Sequence, residues 1–315
     1  MRRNEVYMNA EMLHLEKLRK KSATVLICIA ALSTFMTIAS LSVIASITSV
    51  KFEMFYFMFL WIVFGLLFAK VFGYRKCSQE YKAYFKSILV EIPFRNAFGE
   101  VLYINDLGFE KILIQKCDML CFGNRYASND YVQGTYKNIK FERADVTIQQ
   151  ETSRRGHGYT TTYFSGRWII FEFNEDFHFD LQILGRGFYN SPAIRPFSPS
   201  EEERLHQIEG KDLRFNEKFI VFGQDDNDAL HILTPQLMDV LKNMSATLDG
   251  SFMLAFIDNQ LHVAIDTGKD AMETAILGHN DRPLIEQEVK REINAIISII
   301  DGLSLDRDFY KKLEG

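Results

Sequence analysis

Arg154-Arg155-Gly156-His157-Gly158 is the stretch whose residue types best suit ligand chemistry. Guanidinium forks match anionic oxygens in pairs. His157 gains charge as the pH falls below about 6.5. Gly156 and Gly158 give the backbone access to φ > 0, so that its amides can turn outward toward an anion. The pattern points to an anion grip for a lipid phosphate or an acidic peptide. A flexible basic turn with no ligand has the same composition and is the commoner case for such a tip, so the residues alone favour the empty turn over the grip.

A second chemistry is open to the histidines. His157, His178, His231 or His262, joined by acids from elsewhere in the chain, could assemble a general acid–base site. No GxSxG, HExxH, P-loop or paired CxxC motif is present. An enzyme would therefore rest on dispersed residues, and a binding module is the expected class. Cys117 and Cys121 have CxxxC spacing, two donors where a structural zinc needs four, and no second cysteine pair exists. They read as small buried hydrophobes; no metal and no cofactor is expected. Gly185-Arg186-Gly187 is too short for a nucleotide fingerprint and is read with no helix after it. Asp225-Asp226-Asn227-Asp228 lacks the spacing of a calcium loop and reads as the cap of a helix. Glu201-Glu202-Glu203 reads as a solvated face.

The elements that must position these residues begin with residues 22–72. No charge appears between Ser22 and Val50, Lys51 and Glu53 interrupt the run, and Met54 to Ala69 is again uncharged. A helix needs roughly 20 apolar residues to cross a bilayer core, so the stretch predicts a transmembrane helical hairpin. A buried hairpin would keep a polar face, and neither segment has one. A signal peptide would be shorter and would not be followed at once by a second span. Six basic residues precede the first span, five follow the second by Lys86, and the turn offers Lys51 alone. The positive-inside rule then puts the N-terminus and the C-terminal domain in the cytoplasm, on a multi-pass protein of the cell membrane. Spans without a charged residue at their centres argue against transport. Ser33, Ser40, Ser42 and Ser46 serve helix packing more simply than a pore, and a homo-oligomer stays open.

Of 36 basic and 41 acidic residues, residues 1–72 hold 8 and 4, which leaves 28 and 37 in the remainder, a net of −9. Nucleic acid is excluded as a partner on that balance, and an anionic leaflet would repel all but local clusters of bases. The partners left are the membrane itself and a protein, a peptide or an anionic headgroup at its inner face. Four cysteines, one of them (Cys28) in a span, form no disulfide framework.

Residues 5–21 and 74–90 read as amphipathic helices flanking the spans, packed on each other as a stalk or lying in the interface. Pro93 is expected to end the second of them. Strands are expected at 100–104 and 111–115, and a turn-rich segment at 128–134. Residues 152–162 read as the most loop-like stretch, inside an antiparallel meander over 140–184 with residues 154–158 at a hairpin tip. A proline-rich connection follows over 190–200, then a strand at 218–222. Thr234 and Pro235 read as N-cap and N1 of a helix with Leu237, Met238, Leu241 and Met244 on its buried stripe. Strands at 250–257 and 260–265 flank the two-residue turn Asp258-Asn259. The last long helix follows Pro283, carries Val289, Ile293, Ile296, Ile297 and Ile300 on one face, and stops at Gly302.

This order of elements resembles a bacterial family of membrane proteins known only as a domain of unknown function (number thirty-one thirty-seven). The residues that carry the likeness are Asn129-Asp130-Tyr131 with Gly134, Phe164-Ser165-Gly166, Phe219 to Phe222 with Asp225, Asp226 and Ala229, and Leu233-Thr234-Pro235. The resemblance spans nearly the whole chain and implies no activity, cofactor or catalytic residue. The expected fold is α+β: a juxtamembrane helix over 1–21, the hairpin over 22–72, a second juxtamembrane helix over 73–92, and a cytosolic domain over 93–315. That domain would hold a mainly antiparallel sheet and two or three amphipathic helices, with a sub-boundary near 190–200.

Overall fold

The computed structural model describes residues 75–118, 120–154, 157–173, 180–191, 194, 205–210, 212–248, 250–268 and 282–302, together with 13–14, 16–25, 27–28, 31, 35 and 63. The hairpin expected over 22–72 falls almost wholly outside these residues. Among the described residues, no helix is long and apolar enough to cross a membrane. The chain divides into two units, one from residues 1–88 and 274–281, the other from 89–273 and 282–315.

In the first unit, helix α1 (Arg75–Lys86) lies beside the helical residues 16–25. Lys21 pairs with Glu80 at 3.9 Å, and the rings of His14 and Tyr84 meet edge to face with centroids 4.8 Å apart. Of the two arrangements open to these flanking helices, packing against one another is the one observed.

The helix does not end at Pro93. A π-helical turn, Ser87–Glu91, leads into helix α2 (Ile92–Phe98), in which Pro93 stands in the first turn. Proline has no N–H to donate, and a first helical turn leaves that N–H unbonded in any case.

Among the described residues, the second unit is built on one nine-stranded sheet in which every pairing is antiparallel. Its strands are β1 (Leu102–Ile104), β2 (Arg125–Tyr136), β3 (Ile139–Arg154), β4 (His157–Glu172), β5 (Leu181–Gly185), β6 (His206–Ile208), β7 (Phe219–Gly223), β8 (Ser251–Ile257) and β9 (Gln260–Asp266). They lie in the order β1-β2-β3-β4-β9-β8-β5-β7-β6. The meander is therefore real through β2, β3 and β4 and stops there. β5 does not pair with β4; it lies between β7 and β8, and all of it is buried. Two-sided burial selects an apolar run, so β5 is a central strand and not the outer strand of a meander over 140–184.

Other expectations change for local reasons. Residues 111–115 form a short helix, α3 (Lys111–Gln115), instead of a strand; Ile114 is buried while Ile112 is 63% exposed. Residues 128–134 are strand, not turn. Their turn-like composition marks a bulge, where Asp130 has φ 58° and the β2–β3 register shifts between Asn129 and Val132. Residues 152–162 are strand wherever they are described. A single helical turn, α4 (Arg186–Tyr189), does follow Gly185.

Helix α5 (Leu213–Lys218) is capped by Asp212, α6 (Asp226–Ile232) begins with Asp225 accepting from Asn227 N at 2.7 Å, and α7 (Pro235–Thr247) begins with Thr234 accepting from Leu237 N. Leu237, Leu241 and Met244 of α7 are buried, and Met238 is partly so. Asp258, with φ 51°, turns β8 into β9 as the pattern predicts. Helix α8 (Arg282–Gly302) buries Val289, Ile293, Ile296 and Ile300.

One face of the sheet packs Ala144, Val146 and Ile148 of β3 with Phe164, Trp168 and Ile170 of β4 against Ile114, Leu120 and Phe188. Strand side chains alternate between faces, so Arg143, Asp145 and Arg167 belong to the opposite face, the one that receives α8. A Cβ on Gly166 would stand 1.9 Å from the Ile265 carbonyl oxygen, which is why β4 needs glycine where it meets β9.

Candidate functional site

The predicted hairpin tip stands at the end of an arm. β2 accompanies β3 as far as the Arg125↔Gln149 pair, and β9 accompanies β4 as far as Gly166↔Asp266. β3 and β4 continue together beyond both neighbours to the pair Arg154↔His157. Glu151, Thr152 and Ser153 on one strand and Gly158 to Thr162 on the other are exposed, Tyr159 to 60%. Two strands alone are marginal in water, and this ribbon is held at its base. Asn124 donates to the Glu151 carbonyl at 2.9 Å and accepts from the Glu151 N–H at 2.8 Å, while Arg125 pairs with the Glu151 carboxylate. Arg154, His157 and Gly158 thus close the arm. Arg155 and Gly156, which lie between them, fall outside the described residues.

A second feature is a layer of charge buried between the sheet and α8. Arg143 is fully buried. Its Nε donates to Glu292 Oε1, its Nη2 to Glu292 Oε2 at 3.1 Å, and its Nη1 to the Asp130 carbonyl at 3.0 Å. Nη2 also lies 2.8 Å from Asp145 Oδ1. Arg167, opposite Asp145 in the β3–β4 register, donates to Glu288 at 2.9 Å and lies 3.4 Å from Glu292. Burial pushes the Asp145 carboxyl up to about 6, against the pull of Arg143 and Arg167. Burial opposes the Arg143 charge too, but Asp145 and Glu292 outweigh it and hold its pKa above the ordinary value. Tyr103 donates to Asp130 Oδ1 at 2.8 Å, and burial followed by the Asp130 charge raises its phenol. A cavity of about 20 Å³ opens beside Arg167, Glu288 and Glu292. It is large enough for a water molecule and too small for a metabolite. The layer clamps α8 to β3 and β4, and its carboxylates are occupied by arginines.

Of the dispersed histidines, the side chain of His262 is described and those of His157 and His231 are not. His262 is buried, accepts from Trp168 Nε1 at Nδ1 (3.1 Å), and reaches Gln260 at 3.3 Å; burial lowers its pKa to about 4. It is a neutral core histidine, not an acid–base group with a carboxylate partner. His178 lies outside the described residues. Cys117 is buried, with its thiol pushed up by burial, and Cys121 contacts the Ile194 carbonyl. Among the described residues, no group of three or more histidine, cysteine or acidic side chains could hold a metal. A groove of about 670 Å³ runs between the end of α2 and the β1–β2 edge. Its cations are engaged, Arg95 by Glu91 and Lys140 by Glu142 and Glu172.

Residues 162–305 match the model of the family described as "Protein of unknown function (DUF3137)". Over that stretch, somewhat under half of the chain, the sequence is similar to this family. The matched stretch runs from the arm side of β4 through α8, so the resemblance seen in Phe164-Ser165-Gly166, Phe219–Phe222 and Leu233-Thr234-Pro235 holds there, while Asn129-Asp130-Tyr131 and Gly134 stand before it. Each of these motifs has a structural task. Ser165 O accepts from Thr267 N and Gly268 N, Gly166 admits β9, Asp225 and Thr234 cap helices, and Asp130 sits at the β2 bulge. No curated protein matches the chain. Among solved structures, the mycobacterial trehalose monomycolate transport factor A, TtfA, aligns at 8% identity and TM-score 0.31, over 62% of this chain and 88% of that one. A likeness of that size carries no argument here.

Sequence reading missed the charge layer. Its signal was present in α8: Glu292 falls inside the apolar stripe, between Val289 and Ile293 and four residues before Ile296. A carboxylate there requires a buried cation opposite it. The cations were less legible, because Arg143 and Arg167 look like outward positions of one-sided strands until the sheet is known to be covered on both faces.

Proposed function

We propose that the chain is a membrane-anchored binding module. Residues 22–72 hold it at the inner face of the membrane, and the β3–β4 arm engages an anionic group. The observation that carries this reading is the arm itself, a paired ribbon that outruns both neighbouring strands and ends on Arg154 and His157. A binding loop set on a rigid sheet is a frequent functional arrangement. The anchor and its orientation are supported by the uncharged runs and by the distribution of bases around them. The experiment is photocrosslinking of the full chain in its native membrane, from a photoreactive residue at position 155. The expected product joins the tip to an anionic molecule, lipid or acidic protein. The same probe at Leu213, 77% exposed elsewhere in the unit, is the control. Capture from position 155 no greater than from 213 overturns the arm as the binding element.

A further inference from the structure

The two edges of the arm differ. On the β3 side, the Glu151 N–H and C=O turn away from β4 and are taken by the Asn124 side chain, at 2.8 and 2.9 Å. Antiparallel partners alternate between pairs that exchange backbone hydrogen bonds and pairs that do not. Gln150↔Thr161 and Thr152↔Tyr159 are therefore the bonded pairs. Across Gln149↔Thr162, Glu151↔Thr160 and Ser153↔Gly158 the backbone groups face outward. On the β4 side, Gly158, Thr160 and Thr162 thus turn their N–H and C=O groups away from β3. β9 occupies this edge lower down, pairing as far as Gly166, and the residues after it bond to Ser165 O. Among the described residues, nothing pairs with the backbone of Gly158, Thr160 or Thr162. The run Gly158-Tyr159-Thr160-Thr161-Thr162-Tyr163 also lacks the charges and prolines that blunt such an edge, and its threonines and tyrosines favour strand.

We infer that this edge pairs with the same edge of a second copy of the chain, antiparallel about a two-fold axis at Thr160. The register is self-complementary. Gly158, Thr160 and Thr162 meet Thr162, Thr160 and Gly158 of the second copy as bonded pairs, so every outward group on both chains finds a partner. Tyr159 falls opposite Thr161 of the second copy, an aromatic and β-branched pair, and Thr160 falls opposite Thr160; both are favourable cross-strand neighbours. Charge points the same way. Residues 73–315 carry a net charge of −9, so two copies repel over most of their surface. Residues 158–166 hold no ionised side chain, and pairing there sets no like charges opposite each other. The antiparallel order also brings the end of each arm, where the sequence carries Arg154, toward the acidic body of the other copy. Residues 158–162 on each side are far fewer than the roughly 20–30 residues a side of a standard interface. The pair is therefore weak in dilute solution and forms where copies are crowded together. The inference goes beyond the anion-binding reading, since it uses the edge of β4 and not the tip, and either can fail alone.

The test mixes isotopically light and heavy preparations of the full chain and reconstitutes them together, at high protein density, in phosphatidylcholine liposomes. A photoreactive phenylalanine replaces Tyr159, which is 60% exposed. Trypsin cuts after Arg155 and Arg167, so the expected product is the peptide 156–167 joined to itself, one copy light and one heavy. Thr160→Pro removes the outward N–H at the axis and spares every β3–β4 hydrogen bond. It should lower the light–heavy product about tenfold, since each copy loses one hydrogen bond to the other. Ser153→Pro makes the same change on the β3 edge and should leave the product in place. A parent chain that yields no light–heavy product, a product joined outside residues 156–167, or equal product from the two proline variants overturns the pairing.

Discussion

Glu292→Leu tests whether the buried charge layer holds α8 on the sheet. Glu292 is 2% exposed and accepts from both Nε and Nη2 of Arg143, with Arg167 Nε 3.4 Å away. Its removal leaves Arg143 with the Asp130 carbonyl and Asp145, inside a fully buried site. Breaking a buried pair by deleting one partner costs about 3–5 kcal/mol. Two hydrogen bonds to charged groups, at about 1.5–3 kcal/mol each, give the same range. At a urea slope of about 2 kcal/mol per molar, a loss of about 4 kcal/mol lowers the unfolding midpoint by about 2 M. The chain has two tryptophans, Trp61 and Trp168. In a Trp61→Phe background, the fluorescence of fully buried Trp168 reports the sheet alone. The companion variant is the triple Arg143→Met, Asp145→Val, Glu292→Leu, which removes the central charges together and leaves Arg167 with Glu288. Replacing a buried charge group by apolar side chains of similar volume is close to neutral, so the triple variant should recover most of the loss. A single variant within about 1 kcal/mol of the parent, or a triple variant no better than the single one, refutes the clamp.

Two further predictions follow from charge. Asp145 is raised from 3.8 to about 6 in the fold, so the folded state holds its proton longer and this group's contribution falls as pH rises from about 4 to 6. His262 is lowered from 6.5 to about 4, so its contribution rises over nearly the same window. Each shift is about 3 kcal/mol at 1.36 per unit, and the two oppose. Relative to the parent, Asp145→Asn should show stability rising more steeply from pH 4 to 6, and His262→Gln should show it rising less; denaturant midpoints across that range decide, and parallel profiles refute both. For the membrane topology, a reporter active only outside the cytoplasm should be silent when fused after Gly315 and active when placed near Ser49; a signal at Gly315 reverses the orientation.

Features that neighbouring residues settle between them were legible along the chain. The caps at Asp225 and Thr234, the Asp258-Asn259 turn and the stripe of α8 are all of this kind, because side-chain spacing and one hydrogen bond decide each. The likeness to DUF3137 is carried by the same short motifs, and the tip at residues 154–158 was visible because a run of basic residues and glycines contrasts with an acidic chain. The tertiary structure decided what depends on distant partners. Residues 111–115 became helix because Ile114 reached the core under β2 and β3, and local propensity for a five-residue apolar run does not choose between helix and strand. β5 moved from the edge of a meander to the centre of the sheet because β7 and β8, nearly forty and seventy residues later in sequence, supply its two partners. Arg143, Asp145, Arg167 and Glu292 became a buried layer only when α8 closed over β3 and β4. An ionised side chain has no preference for the interior until opposite charges from other elements are already there to receive it.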